Sequence, residues 1–319
     1  MAALAGGVVL YYLVHRGRPS TAVETAYILP ESATLSDSPA EVRLAVVTLR
    51  HGERVEVLER TRNWARVRIS DGRSGWIELT DILDGVAYEK GQALARELAS
   101  EPAQASGHAA GAVNLRAEPS RDAPQLAQLS SNQPVEVFDR RLVERLQPPG
   151  APPPAEPVRD AWYLIRAEAK VGWVLGRLVT LDIPEAIQHY AQTVNLVAWL
   201  VLNTVDDNGR AVPQYLAADR EGTPDCDFTH LRVFTWWSQR QQYVTAYVEG
   251  NLRGYFPIRT FQHDGAPHFR LRLEDRAGRK SQKVYRMHET IVRPLGSVDG
   301  WESDALPEGR VTPRRHGRQ

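Results

Sequence analysis

The chain holds few side chains that could carry covalent chemistry, and its single cysteine is the first of them. Cys226 stands in Thr-Pro-Asp-Cys-Asp, between two acids whose negative charge would raise the pKa of the thiol and suppress the thiolate. A cysteine nucleophile also needs a histidine to activate it and usually opens a helix, and no helix is predicted after Cys226. We therefore predict no catalytic role for Cys226. A single cysteine also excludes an intramolecular disulfide and two-cysteine metal or redox motifs.

Histidines are the next candidates, because a neutral imidazole is a common zinc ligand. The candidates in the C-terminal region are His230, His263, His268 and His288. None forms an H-E-x-x-H motif, and the adjacent pairs His263-Asp264 and His288-Glu289 would point to opposite faces of a strand. The chain also lacks a phosphate-binding loop, a glycine-rich dinucleotide turn and a G-x-S-x-G elbow. We predict no metal, no cofactor and no catalytic residue.

Aromatic side chains are the remaining candidates, and they suggest binding. Trp236 and Trp237 are consecutive, so on a strand one indole must be exposed or covered by another element or a partner. A nearby surface rich in arginine and tyrosine could bind a ligand, or it could be strand packing in which arginine stems lie on aromatic rings. The candidate binding residues are Trp64, Trp76, Trp162, Trp173, Trp236, Trp237 and Tyr255.

An internal repeat predicts the elements that position the first four tryptophans. Each copy has a V-E-V segment, then W-x-x-[VI]-R, then G-W-[IV], and each segment alternates apolar and polar residues as a half-buried strand does. Turn-forming residues separate the segments. The segments occupy residues 55–57, 64–68 and 75–77 in the first copy, and 135–137, 162–166 and 172–174 in the second.

This order of segments resembles the bacterial SH3-like domain. The second copy also has VNLRAEP at residues 113–119, which matches the N-x-R-x-x-P opening of that family, whereas residues 27–39 of the first copy match it poorly. The resemblance implies two small SH3-like β-barrels, at residues 20–84 and 108–182, with a linker at 85–107 that could be helical. It also implies that the G-W tryptophan of each copy, Trp76 and Trp173, is core or groove wall.

The second copy departs from the pattern by a proline-rich insertion at residues 140–160, between Phe138 and Trp162. An insertion in a hairpin loop should leave the barrel intact, because loop-closure entropy grows slowly with loop length. Its PPGAPPP core predicts an exposed polyproline II segment, either a stiff loop or, as the alternative, a segment that docks on an aromatic groove.

Residues 183–295 predict a β-rich C-terminal domain. A short helix is expected near residues 184–191, followed by an apolar strand over 194–205 and a hairpin turn at Asn208-Gly209. Seven short strands at regular spacing favour an antiparallel meander closed as a barrel or a sandwich. Residues 296–319 are predicted to be a tail. The fold class is therefore mainly all-β, with short helices only in the linker and near 184–191.

The first 19 residues predict a membrane anchor or signal segment. Residues 2–14 are almost wholly apolar, and at about 1.5 Å per residue they would span roughly 20 Å, less than the roughly 30 Å hydrocarbon core of a bilayer. Basic residues follow this segment and none precedes it, so we expect upstream basic residues to be missing from this start site. The alternative is a short apolar segment that packs on the protein or frays.

Composition and repeat together predict a non-enzymatic binding or scaffold protein of the cell envelope. Lysine plus arginine and aspartate plus glutamate balance at 39 each, which argues against a nucleic-acid partner. The expected partners are peptidoglycan or envelope proteins, with possible anchoring through residues 2–14. Two alternatives remain, a cell-wall hydrolase whose C-terminal domain is catalytic and a cytoplasmic SH3-like adaptor.

Overall fold

Alternating apolar and polar residues form strands along most of the chain, and the prediction of a mainly all-β protein is confirmed. The computed structural model describes residues 24–145, 158–222 and 225–307. The predicted anchor at 1–19, the centre of the proline-rich insertion and the end of the predicted tail lie outside these residues. The chain divides into two compact units, residues 1–89 and 90–319. No helix in the described ranges is long and apolar enough to cross a membrane.

The first unit contains the first predicted barrel. Its valines in the V-E-V segment, Val55 and Val57, are buried while Glu56 between them is half-exposed, which is the alternation that the sequence predicts. The strands lie in the order β3-β2-β6-β5-β4-β1-β7. Their bounds are β1 (Glu24–Ile28), β2 (Ser32–Ser36), β3 (Ala45–Arg50), β4 (Arg54–Arg60), β5 (Trp64–Arg68), β6 (Ser74–Glu78) and β7 (Ile82–Asp84). Helix α1 (Gly85–Leu98) follows and forms most of the predicted linker.

The second barrel repeats the topology of the first strand for strand. Its order is β10-β9-β13-β12-β11-β8-β14, which is the first barrel's order with seven added to each strand number. The strands are β8 (Ala105–Ala109), β9 (Val113–Arg116), β10 (Gln125–Leu129), β11 (Pro134–Glu144), β12 (Arg159–Ala167), β13 (Lys170–Leu175) and β14 (Val179–Leu181). The internal repeat is therefore a repeat of structure as well as of sequence.

Close contact between strands explains the glycine of each G-W pair. A Cβ on Gly75 would lie 2.6 Å from the Ser36 carbonyl oxygen, and one on Gly172 would lie 2.9 Å from the Leu115 Cβ. Any larger residue would push apart the two strands that close the barrel, so glycine is needed at both positions.

The proline-rich insertion is shorter than predicted. Strand β11 continues to Glu144 and β12 begins at Arg159, so residues 140–144 and 159–160 are paired strand rather than loop. The carboxylate of Asp160 accepts hydrogen bonds from Arg145 and from Arg121, and these ion pairs stabilise the extended hairpin at its outer end.

The C-terminal domain consists of two four-stranded antiparallel sheets, with one more strand than predicted. A single helical turn, α2 (Glu185–Gln188), precedes it within the predicted helical stretch. The first sheet contains β15 (Leu196–Asp207), β16 (Arg210–Asp219), β17 (His230–Trp237) and β18 (Gln242–Glu249). The second contains β19 (Gly254–His263), β20 (Ala266–Glu274), β21 (Lys280–His288) and β22 (Ile291–Asp299).

The extra strand corrects the predicted end of the domain. The domain was predicted to end at residue 295 with a tail at 296–319, whereas a turn at Glu289 and Thr290 separates β21 from β22, which continues to Asp299. Glu289 takes a positive φ of 53° there, a conformation that favours glycine or asparagine, so the turn has no sequence signal. Residues 300–307 then pack back on the domain.

Residues from both sheets share one core, as in a sandwich. Leu216 and Val233 of the first sheet pack with Phe269 and Tyr285 of the second. The opposite face of the first sheet packs on the second barrel, because Trp199, Ala217 and Phe234 share a cluster with the barrel's own core. The second barrel and the C-terminal domain are therefore one packed body.

Candidate ligand-binding cleft

A cleft with a volume of about 410 Å³ opens where the second barrel, α1 and the second sheet of the C-terminal domain meet. The barrel provides Phe138 and Trp173, and β19 provides Phe256 and Pro257 on the facing wall. The other lining residues are Leu94, Glu97, Leu98, Glu101, Ala117, Glu118, Pro119, Asp139, Arg141, Leu164, Arg259, Arg272 and Glu302. We call this the cleft.

A bulge in the second barrel places Phe138 against the cleft. The pairing of β11 with β12 shifts between Val137 and Asp139, so Phe138 has no partner in the ladder. Phe138 is 2% exposed, and the Arg166 guanidinium carbon lies 4.7 Å from the centre of its ring. The first barrel has the same bulge at Leu58, where the side chain is 38% exposed. The last residue of the V-E-V-F segment, Phe138, is therefore buried against the cleft, whereas the equivalent Leu58 in the first barrel remains exposed.

The facing wall depends on a second irregularity, in β19. Pairing between β19 and β20 is interrupted between Tyr255 and Arg259, so the backbone of Phe256 and Ile258 needs other partners. The Phe256 N–H donates to Asp227 Oδ2 at 2.9 Å, and the Ile258 N–H donates to Gln104 Oε1 at 2.7 Å. Two buried side chains thus complete the hydrogen bonding of the cleft wall.

Gln104 joins three parts of the second unit. Its side-chain Nε2 donates to the carbonyls of Ile258 at 3.1 Å and Pro102 at 2.8 Å. Its own backbone N–H donates to the Val137 carbonyl in β11, and its carbonyl accepts from the Trp199 N–H in β15, each at 2.7 Å. Gln104 is 0% exposed, so each of these groups would lack water as an alternative partner.

A buried ion pair fixes the other support of the same wall. Arg140 of β11 donates through Nη1 to Asp227 Oδ1 at 3.2 Å and to the Cys226 carbonyl at 3.0 Å. Burial raises the pKa of Asp227 to about 6, although its bonds to the Phe256 N–H and to Arg140 act in the opposite direction. The pair therefore ties the barrel to the loop between β16 and β17, whose Asp227 also holds β19, at a desolvation cost.

The polar rim of the cleft carries charges of both signs. Arg259 forms a hydrogen-bonded ion pair with Glu101, Arg272 lies 3.4 Å from Glu302, and Arg141 lies 3.5 Å from Asp139. Burial raises the pKa of Asp139. The guanidinium carbon of Arg141 also lies 4.7 Å from the centre of the Trp173 ring, a cation–π contact. A rim of this kind suits a ligand that carries both carboxylates and amines.

The four tryptophans of the repeat differ in exposure. Trp162 and Trp173 are 3% and 2% exposed and belong to a core cluster with Phe138. Trp173 reaches the cleft, beneath Arg141. Trp64 and Trp76 of the first barrel are half-buried, and Arg43 lies over the Trp64 ring at 4.8 Å. Of these four predicted binding residues, only Trp173 is among those that line the cleft.

The other three predicted binding residues lie apart from the cleft. Trp237 is 37% exposed and is stacked by Arg240 at 4.2 Å, whereas Trp236 is half-buried and donates its indole N–H to Asp207 at 2.9 Å. Tyr255 contacts the ring of Trp301 with a centroid separation of 5.0 Å. Of the two consecutive tryptophans, Trp237 is therefore the more exposed and Trp236 the more buried. Their role in ligand binding stays a prediction.

The candidates for covalent chemistry are dispersed. The Cys226 thiol is buried, burial raises its pKa, and it lies 3.5 Å from the Phe228 carbonyl. His230 is near Asp219 at 3.4 Å, while His263 contacts His268 on the second sheet. Across residues 24–145, 158–222 and 225–307, no group of three or more His, Cys, Asp or Glu side chains is arranged to hold a metal ion.

Comparisons with known families support the two barrels directly. Residues 30–82 and residues 111–180 each match a family model described as the bacterial SH3 domain. The chain therefore contains two bacterial SH3 domains, as its resemblance implied, and both matches end before the C-terminal sheets begin. No curated protein matches the chain.

Solved structures give weaker likenesses. NlpC2 from Trichomonas vaginalis shares 10% identity over 89% of this chain and 100% of its own, with a TM-score of 0.19. NlpC1 from the same organism shares 11% over 90% of this chain and 96% of its own, with a TM-score of 0.19. An NlpC/P60 family protein from Bacillus cereus shares 13% over 85% of this chain and 94% of its own, with a TM-score of 0.22. Likenesses at these TM-scores carry no argument about this chain's activity.

Proposed function

We propose that this chain is a non-enzymatic binding protein of the cell envelope, and that the cleft is where it holds its ligand. The ligand is a short peptide that bears charges of both signs, such as a peptidoglycan stem peptide or a segment of an envelope protein. The observation that carries this proposal is the cleft itself, in which a bacterial SH3 domain supplies one wall and the C-terminal domain supplies the other.

The chemistry of the cleft favours such a peptide over other ligands. Leu94 and Pro257 are half-buried and offer apolar surface for an aliphatic side chain, above a floor formed by the buried rings of Phe138 and Trp173. Arg272 can bind a carboxylate by exchanging the exposed Glu302 for the ligand, and the exposed side chain of Arg141 can bind a second carboxylate. Glu97 is exposed and has no ion-pair partner in the described part of the chain, so it is available to an amine.

The place of the protein in the cell is a proposal of its own. We propose envelope localisation because residues 2–14 are apolar enough to enter a membrane and because bacterial SH3 domains are suited to wall ligands. A cytoplasmic adaptor remains the competing assignment. Fractionation of cells that express the full chain distinguishes the two, since an adaptor would be recovered in the soluble cytosol without membrane association.

Co-sedimentation of the full chain with purified peptidoglycan sacculi tests the proposed function. The variants Arg141→Glu and Glu97→Lys change the rim without removing core atoms, and Arg177→Glu is a control on an exposed arginine outside the cleft. We expect retention of the unaltered chain and of the control, and at least a tenfold loss of affinity in the rim variants, which is about 1.4 kcal/mol.

Two results would overturn this proposal. Equal retention of all four proteins would show that the cleft does not bind the wall. Release of soluble fragments from the sacculi during the incubation would show that the chain is a hydrolase, which is the alternative that the C-terminal domain leaves open.

A further inference from the structure

The outer face of the second C-terminal sheet carries a basic and apolar surface that the cleft does not include. Strands β21 and β22 expose Arg286, His288, Ile291, Arg293 and Leu295 around a depression of about 360 Å³. Ile291 is 52% exposed and Leu295 is 40% exposed. We call these five residues the basic strip.

Strand register forces the two arginines of the strip together. Arg286 pairs directly with Arg293 across the β21–β22 ladder, and His288 pairs with Ile291. Like charges directly opposite each other destabilise a sheet unless an opposite charge lies nearby. Neither arginine forms an ion pair or a hydrogen bond within the residues that the structure describes. The strip is therefore a site of uncompensated positive charge.

The neighbouring part of the same face shows how such charge is compensated in this fold. Arg270 of β20 donates to the Ser303 carbonyl at 2.9 Å and to Asp304 Oδ1 at 3.0 Å, and Arg272 lies 3.4 Å from Glu302. The arginine side chains are 8% and 16% exposed, whereas the two acidic side chains are more than 80% exposed. The acids thus lie on top of the sheet, as a bound ligand would.

An aromatic contact anchors this internal segment. The Trp301 indole N–H donates to the Leu273 carbonyl at 3.0 Å, and its ring packs on Tyr255. Gln282 Nε2 donates to the Ser303 carbonyl at 2.7 Å. The sheet therefore holds a short Trp-Glu-Ser-Asp segment of its own chain through one apolar anchor, two carboxylates and a backbone carbonyl. The basic strip offers the same kinds of group, and no segment in the described part of the chain covers its two arginines.

From these observations we propose that the basic strip is a docking surface for an acidic segment of a partner protein. The segment would place two carboxylates on Arg286 and Arg293 and an aliphatic or aromatic side chain against Ile291 and Leu295. Charge complementarity and the internal segment on the adjoining strands support this occupant. The strip shares no residue with the cleft, so this interaction is independent of wall binding.

A synthetic peptide provides the probe. Fluorescein-labelled WESDAL has the sequence of residues 301–306, the segment whose carboxylates lie on Arg270 and Arg272, so it presents the same groups to the basic strip. Fluorescence anisotropy would compare the full chain with the double variant Arg286→Glu/Arg293→Glu. The matched control is Arg62→Glu/Arg276→Glu, which changes net charge equally at two exposed arginines elsewhere. Thermal melts of all three proteins would verify folding.

We expect the peptide to bind the unaltered chain and the control alike, with affinity that falls as salt rises from about 20 to about 300 mM. Two exposed ion pairs of ordinary strength together change affinity about tenfold, so the strip variant should bind at least tenfold more weakly. A peptide with Gln and Asn in place of its two acids should bind the unaltered chain as weakly as WESDAL binds the strip variant.

Three results would overturn the proposal. The first is no saturable binding of WESDAL to the full chain at low salt. The second is equal weakening in the strip variant and the control, which would show a general charge effect. The third is tight binding of long-chain polyphosphate with none of the acidic peptide, which would make the strip a surface for anionic polymers instead.

Discussion

Removal of the Gln104 side chain should destabilise the second unit more than any surface change. In the Gln104→Ala protein, the Ile258 N–H and C=O both lose their side-chain partner. Ile258 is 0% exposed and lies where β19 is not paired with β20, so neither water nor a neighbouring strand can replace the amide. The variant should therefore lose both the hydrogen bonds that hold β19 in the wall of the cleft and part of the stability of the second unit.

The size of the effect follows from the two orphaned groups. A buried donor or acceptor that loses its partner costs about 1–3 kcal/mol, so two such groups cost about 2–6 kcal/mol. The small cavity left by the missing side chain adds to this cost. We expect a loss of about 4 kcal/mol in the free energy of unfolding.

Urea unfolding of the full chain, followed by tryptophan fluorescence, measures this loss, and the transition of interest is that of the second unit, which contains six of the eight tryptophans. Gln128→Ala is the matched control, because Gln128 is exposed and makes one side-chain hydrogen bond, to Asn114. The control should change stability by less than about 0.5 kcal/mol. A loss below about 1 kcal/mol in Gln104→Ala would refute the reasoning that this side chain joins the barrel to the C-terminal domain.

Two further predictions concern the same unit. Burial raises the pKa of Asp227 from 3.8 to about 6, so the folded chain binds more protons than the unfolded chain between about pH 4 and 6. The free energy of unfolding should therefore fall by up to about 3 kcal/mol as the pH rises through that window. Urea midpoints at several pH values would show this fall, and an equally steep fall in Asp227→Asn would contradict its assignment. Trp301→Ala should cost about 1–3 kcal/mol because it removes both the indole hydrogen bond and the contact with Tyr255. Thermal melts should show a larger decrease in the melting temperature for Trp301→Ala than for Trp237→Ala, because Trp237 is already 37% exposed. Equal decreases would mean that residues 300–307 do not pack as described.

Local patterns in the sequence predicted the strands and the barrels because both depend on neighbours along the chain. The alternation around Val55 and Val57 determines which face is buried, and the G-W pairs mark the strands that approach most closely. The missed strand β22 has a physical cause. Its preceding turn uses Glu289 at positive φ, which residue preferences do not reveal.

The cleft could not be assembled from the sequence, because its parts are far apart along the chain. Gln104 lies in a linker of ordinary composition, and its partner Ile258 is 154 residues away. The pairing of Arg140 with Asp227 spans 87 residues in the same way. Trp173 was identified as a candidate, but Phe138 and Pro257 became candidates only when the two irregular strands were brought together.

Hydrogen–deuterium exchange with and without a soluble muropeptide, a disaccharide that carries its stem peptide, tests the central claim most directly. If the cleft holds the peptide, exchange should slow in the segments that line it, residues 137–141, 171–175 and 254–259, and this slowing should disappear in Arg141→Glu. Slowed exchange confined to the first barrel, or no change in these segments at saturating muropeptide, would contradict the assignment of the cleft as the binding site.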